Sequence, residues 1–416
     1  MARSGGRARV RTGAAAAAAL GVLGGALAGA TGARADSGGM PYDRVERLAH
    51  GVSYGEFTVT AHGAAVHGDV LTVDLRDPRV GVDLLTPGAV AARATVSGMA
   101  DARHAVGAVN GDFFNISEEH PGVAPTGSSD GPEISSGRAL KAAVPDAQRF
   151  GPAMPPGGST QDVIGVGADR RARLDRLVLH GVLRTDRGST ALGGFNQYAL
   201  PAGGIGAYTA GWGAVSRERA VCGSDTSRAA PCSTDTYEVA VRRGRVVAVA
   251  DAPGQGPIAS GTTVLVGRDG GADTLRALHV GDRALVGERL APTSSRVPYV
   301  FAAGGFPVLR DGEPLPGLDA KTAATRTAAG FGDHGRTLYL LALDGAAETG
   351  AGLTVAELAA VMRQIGADDA VNLDGGGSTT LVARAPGDPA VTVRNHPSGG
   401  AERPVANAVG VFAGGS

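Results

Sequence analysis

The stretch LTVAELAAVMRQIGADDAVNLDGGGSTTLV, residues 353–382, has the clearest structural pattern in the chain. Thr354 followed by Glu357 forms a capping box, a pair that begins a helix by satisfying its first free backbone amides. Apolar residues then recur at helical spacing as far as Ile365, and Gly366 stands where a helix commonly ends. The pattern predicts a helix over residues 354–365.

The residues after this helix predict a strand that runs into a functional loop. DAVNLD is apolar enough for a buried strand, and three glycines and then Ser378 follow Asp374. A run of glycines costs backbone entropy, so it indicates either special dihedral angles or a ligand packed against bare backbone. We interpret Asp374 as a base or nucleophile beside exposed amides and hydroxyls. A glycine-lined bend in a sheet is the structural alternative.

Other glycine-rich binding sites have different residue patterns. DGGGSTT lacks the GK[ST] ending of a phosphate-binding P-loop and the spacing of a dinucleotide-binding loop. It also lacks the alternating oxygen ligands that precede the glycine of a calcium loop. The chain contains no HExxH motif of the kind that binds catalytic zinc. The sequence therefore predicts neither a cofactor nor a metal.

The composition narrows the class of partner. The chain has 416 residues, with 39 basic and 40 acidic side chains, so it lacks the charge excess of a protein that binds nucleic acid or an anionic membrane. A small molecule or a glycan is the expected partner. A single tryptophan and 4% aromatic residues disfavour a module that binds sugars by stacking.

The N-terminal residues predict export. RSGGRARVR is basic, an alanine-rich apolar stretch follows it, and Ala33, Arg34 and Ala35 match the cleavage pattern of a Sec-type signal peptide. We therefore predict a signal peptide over residues 1–35 and secretion of the remaining chain. In an oxidising compartment the only two cysteines, Cys222 and Cys232, are predicted to form a disulfide. Two free thiols or a metal site are the alternatives.

Alternation of apolar and polar residues predicts further strands. Residues 56–60, 70–75 and 80–85 alternate at period two and are predicted to lie in one antiparallel sheet. A short helix is expected around residues 95–104. From 150 to 300 the chain repeats strand and turn patterns at hairpin spacing.

These elements predict an α+β fold, with mixed or antiparallel sheets, flanking helices and a β-rich middle. The expected divisions are an N-terminal part of one domain at 36–150, a β-rich insertion or second domain at 151–300, and the C-terminal part at 301–416. AVNGD at 108–112 also repeats the pattern of AVNLD at 370–374. The Asn and Asp of each copy are two apart and so share a strand face.

Several segments together resemble the phosphodiester glycosidase family. They are, in chain order, AVNGDFF, AAGGFPVLRDG, RTAAGFG, the 353–382 stretch and NHPSGGAERPVANAVGVF. The resemblance covers residues 50–140 and 300–413. It implies a secreted α+β protein that hydrolyses an N-acetylglucosamine 1-phosphodiester.

The resemblance also implies a set of site residues. Asp374 and Glu402 are the catalytic candidates. The candidates for substrate binding are Asn110, Gly111, Asp112, Arg326, Thr327, Asn372, Gly375, Gly376, Gly377, Ser378, Asn395, Ser398 and Arg403. Asp112 and Gly399 depart from the residues typical of the family at their positions, so Asp112 is not assigned as the essential acid.

Three of the polar candidates have structural alternatives. Arg326 and Arg403 are expected to hold phosphate, but a structural role for Arg326 and a surface ion pair between Arg403 and Glu402 are the alternatives. His396 is expected to be an exposed loop residue.

The predicted function is hydrolysis of a sugar 1-phosphodiester at the bond between C1 and oxygen. Two alternatives remain at this stage. One is a carbohydrate-binding or cell-wall-binding protein without turnover. The other is a phosphodiesterase that attacks phosphorus, and the absence of an obvious His and Asp metal cluster in the sequence disfavours its metal-dependent forms.

Overall fold

The computed structural model describes residues 39–345 and 352–414. The predicted signal peptide and its cleavage site lie outside the described residues. The described residues from Gly39 onward form one compact unit. The domain divisions at 150 and 300 stay a prediction.

The described residues contain 25 strands. In chain order they are β1 (Arg44–Ala49), β2 (Val52–Ala61), β3 (Ala64–Asp74), β4 (Val80–Leu85), β5 (Gly107–Asn110), β6 (Glu133–Ser135), β7 (Arg138–Lys141), β8 (Asp162–Gly167), β9 (Ala172–Thr185), β10 (Gly188–Leu192), β11 (Gly194–Phe195), β12 (Ile205–Tyr208), β13 (Thr236–Arg242), β14 (Arg245–Ala250), β15 (Thr262–Arg268), β16 (Ala284–Pro292), β17 (Tyr299–Gly304), β18 (Phe306–Arg310), β19 (Glu313–Pro314), β20 (Thr327–Gly332), β21 (Thr337–Leu343), β22 (Asp369–Asn372), β23 (Leu381–Ala383), β24 (Thr392–Val393) and β25 (Ala408–Ala413).

The described residues also contain three α-helices. They are α1 (Val96–Ala102), α2 (Gly270–Arg276) and α3 (Val355–Gln364). Short 3-10 turns occur at Asp146–Gln148, Ala210–Trp212, Glu218–Val221, Asp333–Gly335 and Gly376–Ser378.

The strands form four sheets, and nearly all of their pairings are antiparallel. The eight-stranded sheet has the order β1-β2-β3-β21-β20-β22-β18-β19, and the seven-stranded sheet has the order β10-β9-β8-β17-β6-β7 with β16 paired to β9. One five-stranded sheet, called here the terminal sheet, has the order β24-β23-β5-β25-β4. The other has the order β11-β12-β15-β13-β14 and contains the parallel pair β11 and β12.

The core lies between layers of these sheets. One face of the eight-stranded sheet packs its apolar side chains, among them Leu71 and Leu340, against Val109 and Val409 of the terminal sheet. Helix α3 covers part of the opposite face through residues such as Leu358. Helix α1 packs on the outer face of the terminal sheet. Two strands of different sheets, β5 and β22, are thereby brought into adjoining layers.

The expected α+β class is wrong, because the protein is mostly β. Strands make up 42% of the structure and helices 11%. The three described helices have only seven to ten residues each. Helices this short cover small parts of the sheet faces, so the sheets bury their apolar faces mainly against one another.

The individual helices and strands agree with the sequence-based predictions better than the fold class does. Helix α3 has Thr354 as its N-cap, with both hydrogen bonds of the capping box, and so confirms the prediction from the 353–382 stretch. Helix α1, capped by the Thr95 hydroxyl, confirms the short helix expected nearby. The three early strands also form, as β2, β3 and β4. The expectation that they share a sheet is wrong, since β4 belongs to the terminal sheet.

Candidate functional site

The two AVNxD segments end side by side. β5 carries the first copy in the terminal sheet and β22 carries the second in the eight-stranded sheet. The backbone amide of Asp374 donates to the carbonyl of Gly111 at 3.0 Å. The amide nitrogen of the Asn110 side chain donates to the carbonyl of Asp374 at 2.6 Å. Two of the predicted site segments, far apart in sequence, are therefore joined directly.

Asn110 is the centre of a buried hydrogen-bond network. Its side-chain oxygen accepts from the hydroxyl of Thr327 at 2.8 Å and from the backbone amide of Thr380 at 3.0 Å. Asn110 and Thr327 are both fully buried. Because a buried amide with every polar atom satisfied is rigid, these residues hold the backbone around Asp374 in place.

The three glycines form a tight turn that other residues would obstruct. A Cβ on Gly375 would lie 2.6 Å from the carbonyl oxygen of Thr325, and Gly376 has a φ of +58°. The amide of Gly376 donates to the same Thr325 carbonyl at 2.8 Å, and the amide of Ser378 donates to the carbonyl of Gly375 at 3.1 Å. Packing and backbone conformation thus explain two of the glycines, in line with the structural alternative.

The third glycine, Gly377, leaves room for the guanidinium group of Arg403. A Cβ on Gly377 would lie 2.2 Å from the Nη2 atom of Arg403. The other guanidinium nitrogen, Nη1, lies 3.4 Å from the Ser378 hydroxyl. Ser398 also contacts the turn, with its hydroxyl 3.5 Å from the Gly376 carbonyl. An arginine and two hydroxyls therefore lie at the turn that follows Asp374.

Asp374 is a carboxylic acid with a strongly altered acidity. Burial raises its pKa to about 7, with a further increase from the charge of Asp130. A hydrogen bond from Ser378, the charge of Arg403 and the amide of Gly375 act in the opposite direction. The residue keeps partial solvent exposure. A partly exposed carboxyl group that titrates near neutral pH is suited to proton transfer or nucleophilic attack.

A buried cluster of charged residues lies beside Asp374. The Asp112 carboxylate accepts from the amides of Phe113 at 2.8 Å and Gly131 at 2.6 Å. The Asp130 carboxylate accepts from the Phe150 amide and from the Tyr198 hydroxyl, both at 2.7 Å. Burial raises the pKa of both carboxyl groups. The Asp112 carboxylate is therefore buried and accepts its hydrogen bonds from backbone amides.

Two further residues complete this cluster. Glu133 accepts from Ser129 at 2.6 Å and from Asn407 at 2.8 Å, and burial raises its pKa. Lys141 is fully buried, donates to the Gly131 carbonyl, and has its pKa lowered by burial. The sequence patterns did not point to Asp130, Glu133 or Lys141. The rarity of lysine, which occurs twice in the chain, was a signal at Lys141.

Other predicted site residues are engaged in structural contacts. The buried guanidinium of Arg326 donates to the carbonyls of Leu353 at 2.9 Å and Thr322 at 2.7 Å, and burial lowers its pKa. Glu402 accepts from the amide of Ser97 at 3.0 Å, at the start of α1. Among the described residues, the contacts of Glu402 do not include Asp374.

The remaining candidates bind the neighbouring loops. Asn395 links three segments: its side-chain oxygen accepts from Leu381, and its nitrogen donates to the carbonyls of Leu343 and Thr379. Asn372 donates to Leu373, and its buried side-chain oxygen has no hydrogen-bond partner within residues 39–345 and 352–414. His396 is exposed, as expected, with its Nδ1 atom 3.2 Å from Asp344.

The predicted disulfide is confirmed. Cys222 and Cys232 are bonded to each other. The imidazole of His120 lies against them, although no histidine is near either cysteine in the sequence. Within the described residues, no helix has the length and apolar character needed to cross a membrane.

Residues 235–412 match the family model for phosphodiester glycosidases. The resemblance to that family is confirmed over this part of the chain. The matched residues include the glycine turn, Asp374, Ser398 and Arg403. They do not include the segment around Asn110. No curated protein sequence matches the chain significantly.

Three solved structures are similar to this chain, and the first two of them support its fold. A hypothetical protein from Synechocystis is 22% identical with a TM-score of 0.67, and the match covers 88% of this chain and 62% of that one. A Burkholderia pseudomallei protein, provisionally described as exported, is 24% identical with a TM-score of 0.64, covering 84% and 74%. The catalytic domain of zebrafish N-acetylglucosamine-1-phosphodiester alpha-N-acetylglucosaminidase, auto-inhibited by its pro-peptide, is 16% identical with a TM-score of 0.44, covering 89% and 87%.

Proposed function

We propose that the protein hydrolyses a sugar 1-phosphodiester at the bond between C1 of the sugar and the phosphate oxygen. The observation that carries this proposal is the placement of Asp374. Its partly exposed carboxyl group, with a pKa of about 7, accepts a hydrogen bond from Ser378 and is influenced by the charge of Arg403, whose guanidinium also contacts the Ser378 hydroxyl. The phosphodiester glycosidase match over residues 235–412 supports the same class of reaction.

The proposed reaction needs few catalytic groups besides Asp374, Ser378 and Arg403. A phosphate monoester leaves as a stabilised anion, so its departure from C1 needs less help from a general acid than departure of an ordinary alcohol. The positive charge that develops at C1 is stabilised by a nearby carboxylate. In this proposal Asp374 acts as the nucleophile or base at C1, and Arg403 with Ser378 holds the phosphate.

The contacts of Arg326 and of the glycine amides give less support to the phosphate-binding roles predicted for them. Arg326 already uses its guanidinium on two backbone carbonyls, which favours its structural alternative. Two of the three glycine amides are also engaged, because that of Gly376 binds Thr325 and that of Gly375 binds the Asp374 carboxyl group. Phosphate binding by Arg326 and catalysis by Glu402 stay predictions.

The position of bond cleavage separates this proposal from a phosphodiesterase. We would screen the purified protein against sugar 1-phosphodiesters, with and without a chelator, and repeat the active reaction in water enriched in oxygen-18. We expect the label on the anomeric hydroxyl of the released sugar, read before that hydroxyl exchanges, and an unlabelled phosphate monoester. Label in the phosphate monoester would show attack at phosphorus, and binding without any turnover would support the carbohydrate-binding alternative.

We also propose that the protein is exported. The disulfide between Cys222 and Cys232 supports an oxidising compartment. Intact mass of the secreted protein should match a chain that starts at Asp36 and lacks the two hydrogens of this disulfide. A mass that retains residues 1–35 would contradict the predicted cleavage.

A further inference from the structure

We propose that, when the disulfide is reduced, Cys222, Cys232 and His120 bind one thiophilic divalent cation of the Zn²⁺ class. Each of the three offers one ligand atom, and these atoms all lie within 4.8 Å of one another. The site is separate from Asp374 and does not depend on the proposed hydrolase activity. Two thiolates and one imidazole are a common zinc ligand set, with the fourth position left to solvent.

The burial and contacts of the His120 imidazole suit a metal ligand. His120 is 6% exposed, and its Nε2 atom is buried with no hydrogen-bond partner among the described residues. The ring also makes a hydrogen bond to the backbone of Arg228. A metal-binding histidine commonly donates its second ring nitrogen to a backbone carbonyl, which fixes the ring and leaves the other lone pair for the ion.

A buried arginine lies beside Cys222. Arg219, which is 2% exposed, donates from Nη1 to the carbonyl of Cys222 at 3.2 Å, and its buried Nε atom has no partner within the described residues. Two thiolates and a divalent cation form a neutral group, so this cationic pocket does not oppose it.

The chemical step is a reduction followed by metal binding. A phosphine supplies two electrons and becomes its oxide, with water supplying the oxygen and the two protons, so that the bond between the sulfurs breaks and two thiols remain. Binding of the cation then releases the two thiol protons and forms two metal–sulfur bonds. In a tetrahedral site the sulfurs must separate to roughly 3.8 Å, given metal–sulfur bonds of about 2.3 Å. The irregular loop 223–231 between the cysteines provides the freedom for this separation.

The test uses the whole mature protein and Co²⁺ as a spectroscopic probe. The protein is reduced with a phosphine under anaerobic conditions and titrated with Co²⁺. We expect a thiolate-to-cobalt charge-transfer band that saturates at one ion per chain and is displaced by Zn²⁺. The oxidised protein should give no such band. Absence of the band in the reduced protein would overturn the proposal.

Two variants make the test specific to this site. His120→Ala should weaken Co²⁺ binding by about tenfold or more, since loss of a group that only orients a ligand already costs about 10–100-fold. His279→Ala is the matched control, because its ring is exposed and lies away from the cysteines in an ion pair with Asp282, and it should leave the titration unchanged. If reduction unfolds the protein, Zn²⁺ should restore its circular dichroism spectrum in the wild type more than in His120→Ala. Equal behaviour of His120→Ala and wild type in both measurements would overturn the proposal.

Discussion

At the scale of single residues, the position of Asp374 depends on partners that are distant in sequence. Its amide and carbonyl bind Gly111 and Asn110, and its carboxyl group is influenced by Ser378, Asp130 and Arg403. Its raised pKa is mainly a result of burial, which disfavours the charged form. The residue therefore combines a fixed backbone with a carboxyl group that changes charge near neutral pH.

We expect Asp374→Asn to reduce kcat by at least about a hundredfold, the scale for loss of a catalytic acid or base. The Tm at pH 8 should not fall, because the amide replaces a buried charge whose pKa is raised to about 7. In the wild type, kcat should rise with pH through about 7 if Asp374 reacts in its ionised form. Turnover and thermal melts are measured together, with the exposed Asp388→Asn as control. Unchanged turnover per folded molecule would show that the carboxylate is structural.

A second residue-scale prediction concerns the third glycine. In Gly377→Ala the new Cβ would clash with the guanidinium of Arg403, the flexible end of a side chain, so the arginine should move and the turn should persist. We expect kcat/KM to fall about tenfold or more, since a charge-assisted hydrogen bond is worth roughly 1.5–3 kcal/mol. Gly399→Ala is the matched control, because nothing lies within 4 Å of its Cβ position. Equal kinetics in the two variants would show that Arg403 does not contribute to substrate binding.

At the scale of elements, local signals in the sequence were sufficient for helices and strands but not for their arrangement. The capping box at Thr354 and Glu357 predicts α3 because both hydrogen bonds lie within four residues. β4 alternates like β2 and β3, yet it pairs with β25, more than 300 residues later. Strand pairing between distant segments leaves no mark in a local pattern, so the division into sheets was not predictable.

The same limit applies to the candidate site. The Asp374 loop and Arg403 stand out in the sequence, because glycines and a polar loop follow recognisable strands. Asp130 and His120 do not, since each acquires its neighbours only through folding. Glu402 shows the reverse case, in which a residue beside Arg403 in sequence directs its carboxylate to the start of α1.

We expect Glu402→Gln to act on α1 rather than on catalysis. The carboxylate accepts from Ser97 in the first turn of the helix, where a negative charge is worth about 0.3–1 kcal/mol. The Tm should fall slightly, as in the N-cap variant Thr95→Ala, whose hydroxyl accepts from Gly98 at 3.1 Å. Turnover should change by less than about tenfold in both variants, below the loss expected for a catalytic carboxylate. A loss as large as that of Asp374→Asn would instead support the catalytic role predicted for Glu402.

At the scale of the whole molecule, sheets packed on sheets bury carboxyl groups as well as apolar side chains. Asp69 on β3 is 5% exposed and accepts from the Tyr54 hydroxyl at 2.5 Å. Burial, with contributions from the charges of Asp344 and Glu56, raises its pKa to about 7. Asp374 has a similar pKa for similar reasons. Such groups make the stability of the fold depend on pH between acid and neutral conditions.

The sign of this dependence follows from proton binding. Between about pH 4 and pH 7 the folded protein holds a proton on Asp69 that the unfolded chain, with an ordinary carboxyl pKa of about 3.9, has released. Folding is therefore favoured at the acid end, and this contribution is lost as the pH rises through about 7. In Asp69→Asn the side chain is neutral at every pH. Relative to wild type, the Tm of Asp69→Asn should rise from pH 4.5 to about pH 7 and then level off. The exposed Asp388→Asn serves as the control for an Asp to Asn substitution at the surface. A constant difference between Asp69→Asn and wild type over this pH range would mean that Asp69 has an ordinary pKa in the folded protein.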